Sequence, residues 1–348
     1  MPATELRKIG STDLSVTAVG FGSAPLGNRF RVLDESHCRA LVDDAWERGI
    51  RLFDTAPMYG YGLAENRVGT GLRDRPRKEY VLCTKVGRLL KPTEHEQRND
   101  PMWDSTPPMR IVYDYTYSGT MRSIEDSLQR MLSDRIDIVL IHDCDRYGHG
   151  ANQPAVFEQA MSQAAKALIE LRDQGVVGAV GIGVNEADVC VAAAQRADFD
   201  VFLLAGRYTL LEQAPLDDLL PLCVDRGISV MLGGVFNSGI LATGATPGAH
   251  HNYQPADDTV LARVAAIESL CAAHGVPIAA AALQFALAHP AVASVVLGAS
   301  TVAQQAANIE ATRTIIPQQL WDSLREDGYL HSEAPVPPPQ PLHTSPHS

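Results

Sequence analysis

The sequence predicts an α/β protein, a (β/α)8 TIM barrel carrying a small N-terminal β-hairpin. Three observations lead there. Eight short apolar runs recur along 348 residues. Amphipathic stretches separate them. The polar residues best suited to chemistry stand just past the ends of the runs.

The hairpin comes first, in "LRKIGSTDLSVT". Leu6 and Ile9 flank a Gly-Ser-Thr-Asp turn, with Leu14 and Val16 beyond it. It is expected to plug the N-terminal end of the barrel. The runs follow: "TAVGFG" (17–22), "IRLFDT" (50–55), "YVLCTKV" (80–86), "IDIVLIH" (136–142), "VGAVGIGV" (177–184), "VFLLAG" (201–206), "ISVMLGG" (228–234) and "ASVVLGA" (293–299). Continuous Val, Ile and Leu, rather than alternation, marks strands buried on both faces. Between them, "ESHCRALVDDAWERG" ends in a glycine suited to a helix C-cap. "SGTMRSIEDSLQRML" and "PAVFEQAMSQAAKALIELRDQG" repeat apolar residues at three- and four-residue spacing. A doubly wound sheet with a cap domain is the alternative arrangement. Long irregular pieces, 87–118, 143–153 and 235–256, follow the third, fourth and seventh strands, on the face where barrel enzymes build their sites. The barrel domain is read as 1–330. The Pro/Ser/His-rich 331–348 is read as a disordered tail.

Composition narrows the function. A chain that is 45% hydrophobic and 20% charged can bury a large core. A formal charge of -12 argues against nucleic acid or an anionic membrane as partner and leaves a small-molecule substrate. Six scattered cysteines without C-x-x-C suit a reducing cytosol. No apolar leader or bilayer-length segment is present, so the expectation is a cytoplasmic monomer or homodimer.

Four residues converge on one mouth if the barrel closes. Asp54 and Tyr59 follow the second strand, in "RLFDTAPMYGYG". Lys85 ends the third and His142 the fourth. A phenol with a free pKa of about 10 is a poor acid at neutral pH. A neighbouring ammonium is expected to lower that value, and a carboxylate keeps the ammonium charged. An imidazole can hold a substrate oxygen. The set is a proton relay between alcohol and carbonyl, with hydride left to a cofactor.

"FDTAPMYG", "TKVG" and "IDIVLIHDCD" resemble, in order and spacing, the strand-end motifs of the aldo-keto reductases. The resemblance covers roughly residues 5–330. It implies an NAD(P)-binding barrel with Tyr59 as general acid/base, Lys85 and Asp54 tuning it and His142 orienting the carbonyl. "VTAVGFGSAPLGN", "LLAGRYTLLEQ" and "GGVFNSGILATG" are similar to the family's D-threo-aldose 1-dehydrogenase (L-fucose dehydrogenase) branch. Pyridoxal 4-dehydrogenases and plant L-galactose dehydrogenases lie near it. That branch oxidises free sugars at the anomeric carbon to lactones, or an aldehyde in its hemiacetal form, with Tyr59 accepting the proton.

The resemblance also implies cofactor contacts at Gly22, Asn185, Gly234, Phe236, Ser238, Gly298, Ser300, Gln304 and Asn308. Of the family's usual Ser-Asn pair only Asn185 is kept. Ala205 stands where a Gln is common and Gly233 where a stacking Tyr is common, so the nicotinamide pocket should be open. No Lys or Arg lies between His289 and Arg313. A 2′-phosphate would lack charge-assisted bonds there, which favours NAD while leaving NADP possible. Leu26, Trp103, Tyr115 and Phe236 are candidate substrate contacts, and no metal is expected. The glycines of "GAVGIGVNE" miss G-x-G-x-x-G spacing. Aldose oxidation leads. Next come pyridoxal 4-dehydrogenation or redox chemistry on a bulkier ketone or secondary alcohol. A non-catalytic nicotinamide-sensing subunit and a metal-dependent hydrolase are the remaining readings.

Overall fold

In the computed structural model, which describes residues 2–29, 31–94 and 102–339, each apolar run becomes a strand. The strands are β1 (Leu6–Lys8), β2 (Ser15–Thr17), β3 (Val19–Gly22), β4 (Leu52–Asp54), β5 (Val81–Val86), β6 (Arg88–Pro92), β7 (Met109–Tyr113), β8 (Ile138–His142), β9 (Ala179–Val184), β10 (Val201–Ala205), β11 (Ser229–Gly233), β12 (His250–His251), β13 (Gln254–Pro255) and β14 (Val292–Gly298). Eight of them close a parallel barrel in the order β3, β4, β5, β8, β9, β10, β11, β14.

β1 and β2 form the expected antiparallel hairpin. Ile9 and Val16 are fully buried and pack with Leu52, Val81, Cys83, Ile138, Leu140 and Met231 in the barrel interior. The hairpin therefore closes the bottom of the barrel with apolar side chains. The larger apolar cluster lies between the outer faces of the strands and the surrounding helices.

Helix ends are set locally. Asp34 caps Glu35–Glu47 by accepting from the His37 amide, Thr116 caps Tyr117–Met131 through Gly119, and Thr301 caps Val302–Ala311 through Gln304. All six cysteines are free and buried. Among the described residues no single helix is long and apolar enough to cross a membrane.

Two expectations change. The irregular segments are partly ordered. β6 pairs with β7 after β5, and β12 with β13 after β11, so hairpins wall the C-terminal mouth. Residues 331–339 do not leave the barrel as a tail. Ala334 is buried, its carbonyl accepts from Arg325 Nη2, and the His331 amide donates to Gln213 Oε1. Pro and Ala in this stretch find an apolar surface, which composition alone does not reveal. Residues 340–348 lie outside the described residues.

Candidate active site

Strand parity builds the site. Side chains alternate across a strand, so Leu52 and Asp54, Val81, Cys83 and Lys85, and Ile138, Leu140 and His142 point into the barrel. The lower members are apolar. The uppermost member of each series is Asp54, Lys85 or His142. On the opposite wall the uppermost inward positions are Gly183, Ala205 and Gly233. A Cβ at Gly183 or Gly233 would meet nothing nearer than 3.5 Å. The mouth is thus polar on one side and shaped by small residues on the other.

Tyr59 reaches the mouth on the turn after β4. That turn passes tightly under the loop after β3. Gly60 has φ 64°, and a Cβ there would come within 2.5 Å of the Gly27 carbonyl oxygen. A Cβ on Gly27 would in turn meet the Gly60 amide at 2.6 Å. Only glycine at both positions allows the crossing. Arg67 holds the upper loop, donating to the carbonyls of Leu26 and Leu33 and to Asn28 Oδ1 and Glu35.

All four residues of the expected tetrad meet. Lys85 is 1% exposed and Asp54 3%. Lys85 Nζ donates to both Asp54 carboxylate oxygens, at 2.9 and 3.0 Å, and to the Thr55 carbonyl at 2.8 Å. Its three hydrogens are therefore satisfied. Nζ lies 4.9 Å from the centre of the Tyr59 ring, and the His142 ring meets that ring edge-on at 6.0 Å.

The electrostatics separate these groups. Burial opposes the Lys85 charge most, but Asp54, Tyr59 and Cys83 together outweigh it and the ammonium is held above its ordinary range. Burial, then Arg88 and Lys85, pushes His142 well below the usual imidazole range, so it is neutral at pH 7. His142 Nδ1 is buried with no partner among the described residues. A bare acceptor costs less there than an orphaned N–H, which places the hydrogen on Nε2. Tyr59 corrects an expectation. Burial pushes its phenol up to about 12, and Lys85 only moderates this. Desolvation is the largest cause, and the Asp54 and Asp143 charges add to it against Lys85.

The cleft is lined by Tyr59, Lys85 and His142 together with Arg29, Met58, Trp103, Asp143, Tyr147, Asn185 and Tyr253. Trp103 lies 5.8 Å from the Tyr59 ring, in the cleft lining. Leu26 and Tyr115 do not line it, so their expected substrate roles are withdrawn. Leu26 is fully buried in the apolar core. Tyr115 lies behind the site, donating to the His142 carbonyl at 2.7 Å and packing on Gly87, where a Cβ would come within 2.3 Å of its ring. Phe236 packs against the core outside the cleft lining. Asp143, Arg88, Tyr147 and Tyr253 were not singled out from the sequence. The second and fourth residues of "HDCD" are acids directly after His142, which was the available signal.

The rim residues suit a nicotinamide dinucleotide. Asn185 faces the cleft beside Gly183. Ser23 Oγ and Thr55 Oγ1, at the ends of β3 and β4, are buried without partners among the described residues. Gly22 and Gly298 pair where β3 meets β14. Beyond them Ser300 precedes the helix Val302–Ala311, whose N-terminus favours an anion. The Ser300 amide donates to Gln304 Oε1, and the Ser300 carbonyl contacts His37 Nε2 at 2.8 Å. Gln304 therefore serves its own helix end. Asn308 borders a narrow gap beside Phe21 and Leu297. Gly234 is exposed with φ 62°, and Ser238 Oγ accepts from the Tyr253 amide.

A closed parallel barrel bearing a Tyr–Lys–Asp–His mouth defines an oxidoreductase of alcohols and carbonyls. Residues 18–326 match the Aldo/keto reductase family, and the chain belongs to it. It is 39% identical over 341 residues to a pyridoxal 4-dehydrogenase from Microbacterium luteolum, covering 95% of this chain and 99% of that one. It is 38% identical over 318 residues to a D-threo-aldose 1-dehydrogenase from a Pseudomonas species, covering 90% and 94%. Among solved structures, the holo form of aldo-keto reductase AKR11C1 from Bacillus halodurans superposes with a TM-score of 0.72 at 25% identity, covering 98% of this chain and 100% of that one.

Proposed function

We propose that this enzyme oxidises free aldoses of the L-fucose, L-galactose or D-arabinose type at C1 to the lactone, using NAD in preference to NADP. One observation carries the reading: Tyr59, the Lys85–Asp54 pair and neutral His142 share a cleft that also holds an Asp143 carboxylate and the Asn185 amide. Such a lining suits a polyhydroxylated substrate, because buried polar groups need partners.

His142 Nε2–H holds the C1 oxygen. Tyr59 Oη, as phenolate, takes the hydroxyl proton. A nicotinamide held at the rim by Asn185 and the Gly22–Gly298 pairing would supply the acceptor for the C1 hydride, so that the sugar would leave as lactone and Tyr59 would end protonated. Lys85, kept charged by Asp54, favours the phenolate, while burial and the Asp54 charge oppose it. The NAD preference is supported by the Ser300 region, whose backbone contacts are Gln304 and His37, the latter on the helix Glu35–Glu47 capped by Asp34.

Pyridoxal in its hemiacetal form is the second reading. The Trp103 ring beside Tyr59 offers a face for a flat heterocycle, and the pyridoxal 4-dehydrogenase relative supports it. The test is NAD and NADP reduction with a panel of L-fucose, L-galactose, D-arabinose, D-glucose and pyridoxal. Turnover of the first three sugars with NAD is expected. Turnover of pyridoxal alone would replace the aldose reading. A cytosolic location is part of the same proposal, supported by six buried thiols.

A further inference from the structure

Asp143 is the most unusual group in the cleft outside the tetrad. It follows His142 directly and adopts φ 42°, a left-handed conformation that is uncommon outside glycine and is entered most often by Asp and Asn. The strain is held in place from both sides. Its amide donates to the Gly183 carbonyl at 2.8 Å, and Arg88 Nη2 donates to its Oδ2 at 2.5 Å. Arg88 is itself 4% exposed. Strain maintained by surrounding contacts at a cleft wall points to function.

The second carboxylate oxygen is under-used. Among the described residues Oδ1 has only the Asn185 amide, at 3.5 Å. Oδ2 lies 3.5 Å from His142 Nε2, too long for a good hydrogen bond. Burial pushes the carboxyl up to about 6, with Arg88 opposing the rise, so the group is ionised at neutral pH. A buried carboxylate with a spare oxygen accepts hydrogen bonds and donates none.

We infer that Asp143 reads the hydroxyl on the carbon next to the one being oxidised. An oxygen bound to His142 Nε2 leaves its vicinal neighbour within reach of the carboxylate. At an anomeric carbon the oxygens nearest the C1 hydroxyl are the ring oxygen, bonded to C1 itself, and the vicinal C2 hydroxyl. Only the hydroxyl can donate. The inference rests on the aldose reading above and names the specificity element of that site.

The test compares kcat/KM for L-fucose and 2-deoxy-L-fucose in the wild type and in Asp143→Asn, with NAD binding and thermal melting measured on both proteins. Asparagine tolerates the left-handed backbone. Its carbonyl must turn to Arg88, which leaves an NH2 donor facing the sugar. The wild type should favour L-fucose on the order of 10- to 100-fold, the worth of a hydrogen bond to a charged group. In Asp143→Asn that ratio should fall to near one, because kcat/KM for L-fucose drops by more than kcat/KM for 2-deoxy-L-fucose. Equal use of both sugars by the wild type overturns the inference. So does an equal loss on both sugars in the variant, which would make Asp143 a support for His142. If the wild type oxidises no free aldose yet turns over pyridoxal, the aldose reading fails in the wild-type arm alone and this inference falls with it.

Discussion

Lys85 and Asp54 form a buried, doubly hydrogen-bonded ion pair at the top of the barrel interior, one layer above Cys83 and Leu52. Neither side chain has another opposite charge at comparable distance among the described residues. Removing one partner strands the other. Lys85→Met and Asp54→Asn should each lose about 3–5 kcal/mol of stability. The double variant should recover much of that loss while staying inactive. Denaturant unfolding of the three proteins checks this. A double variant no more stable than either single one contradicts it.

The crossing of Gly60 and Gly27 sets where Tyr59 stands. Gly60→Ala adds a steric conflict with backbone to a strained φ, and should cost about 1–3 kcal/mol and lower turnover. Gly175→Ala supplies the contrast. Its φ is 72°, but a Cβ there meets nothing within 4 Å. It should cost about 1 kcal/mol and leave turnover unchanged. Unfolding midpoints and steady-state rates on both variants decide the matter. Equal activity in the two would detach Tyr59 from this crossing.

Cofactor choice should respond at Ser300, which precedes the capped helix Val302–Ala311. Ser300→Arg should raise kcat/KM for NADP relative to NAD by about tenfold, the worth of about 1.4 kcal/mol of charge-assisted bonding. An unchanged ratio would put the 2′-phosphate elsewhere.

The pH dependence follows from Tyr59. Its phenol is pushed up to about 12 in the folded protein. Oxidation needs the phenolate, a minor form at neutral pH that grows as pH rises toward that value. Sugar oxidation should therefore climb through the alkaline range. Carbonyl reduction needs the phenol, which is fully present below the same value, and should stay flat there. Rate–pH profiles in both directions test the sign. An oxidation rate that peaks at or below pH 7 contradicts it.

Much of this was legible from pattern. Continuous Val/Ile/Leu runs named all eight barrel strands, since a strand buried on both faces has no room for alternation. Polar residues at strand ends named the tetrad. Strand parity, applied to "VLCTK" and "IVLIH", also accounts for Lys85 and His142 pointing inward. Other features depend on three-dimensional surroundings. The upward shift at Tyr59 comes from burial that a pairwise Tyr–Lys argument omits. Tyr115 and Leu26 share loops with true cleft residues, and only packing places them behind the wall. Asp143 reaches the cleft through a backbone angle that no periodicity encodes. The 331–339 segment packs because of the surface it meets, not because of its composition.

The most direct test of the central claim is NAD reduction with L-fucose by wild type and Tyr59→Phe, beside NAD binding to each. The variant removes one proton-transfer group from a partly buried ring. Turnover should fall about 10²–10⁴-fold with NAD affinity nearly unchanged. Near-wild-type turnover in Tyr59→Phe would contradict the account, because the proton would then leave the sugar by a route that does not pass through this cleft's phenol.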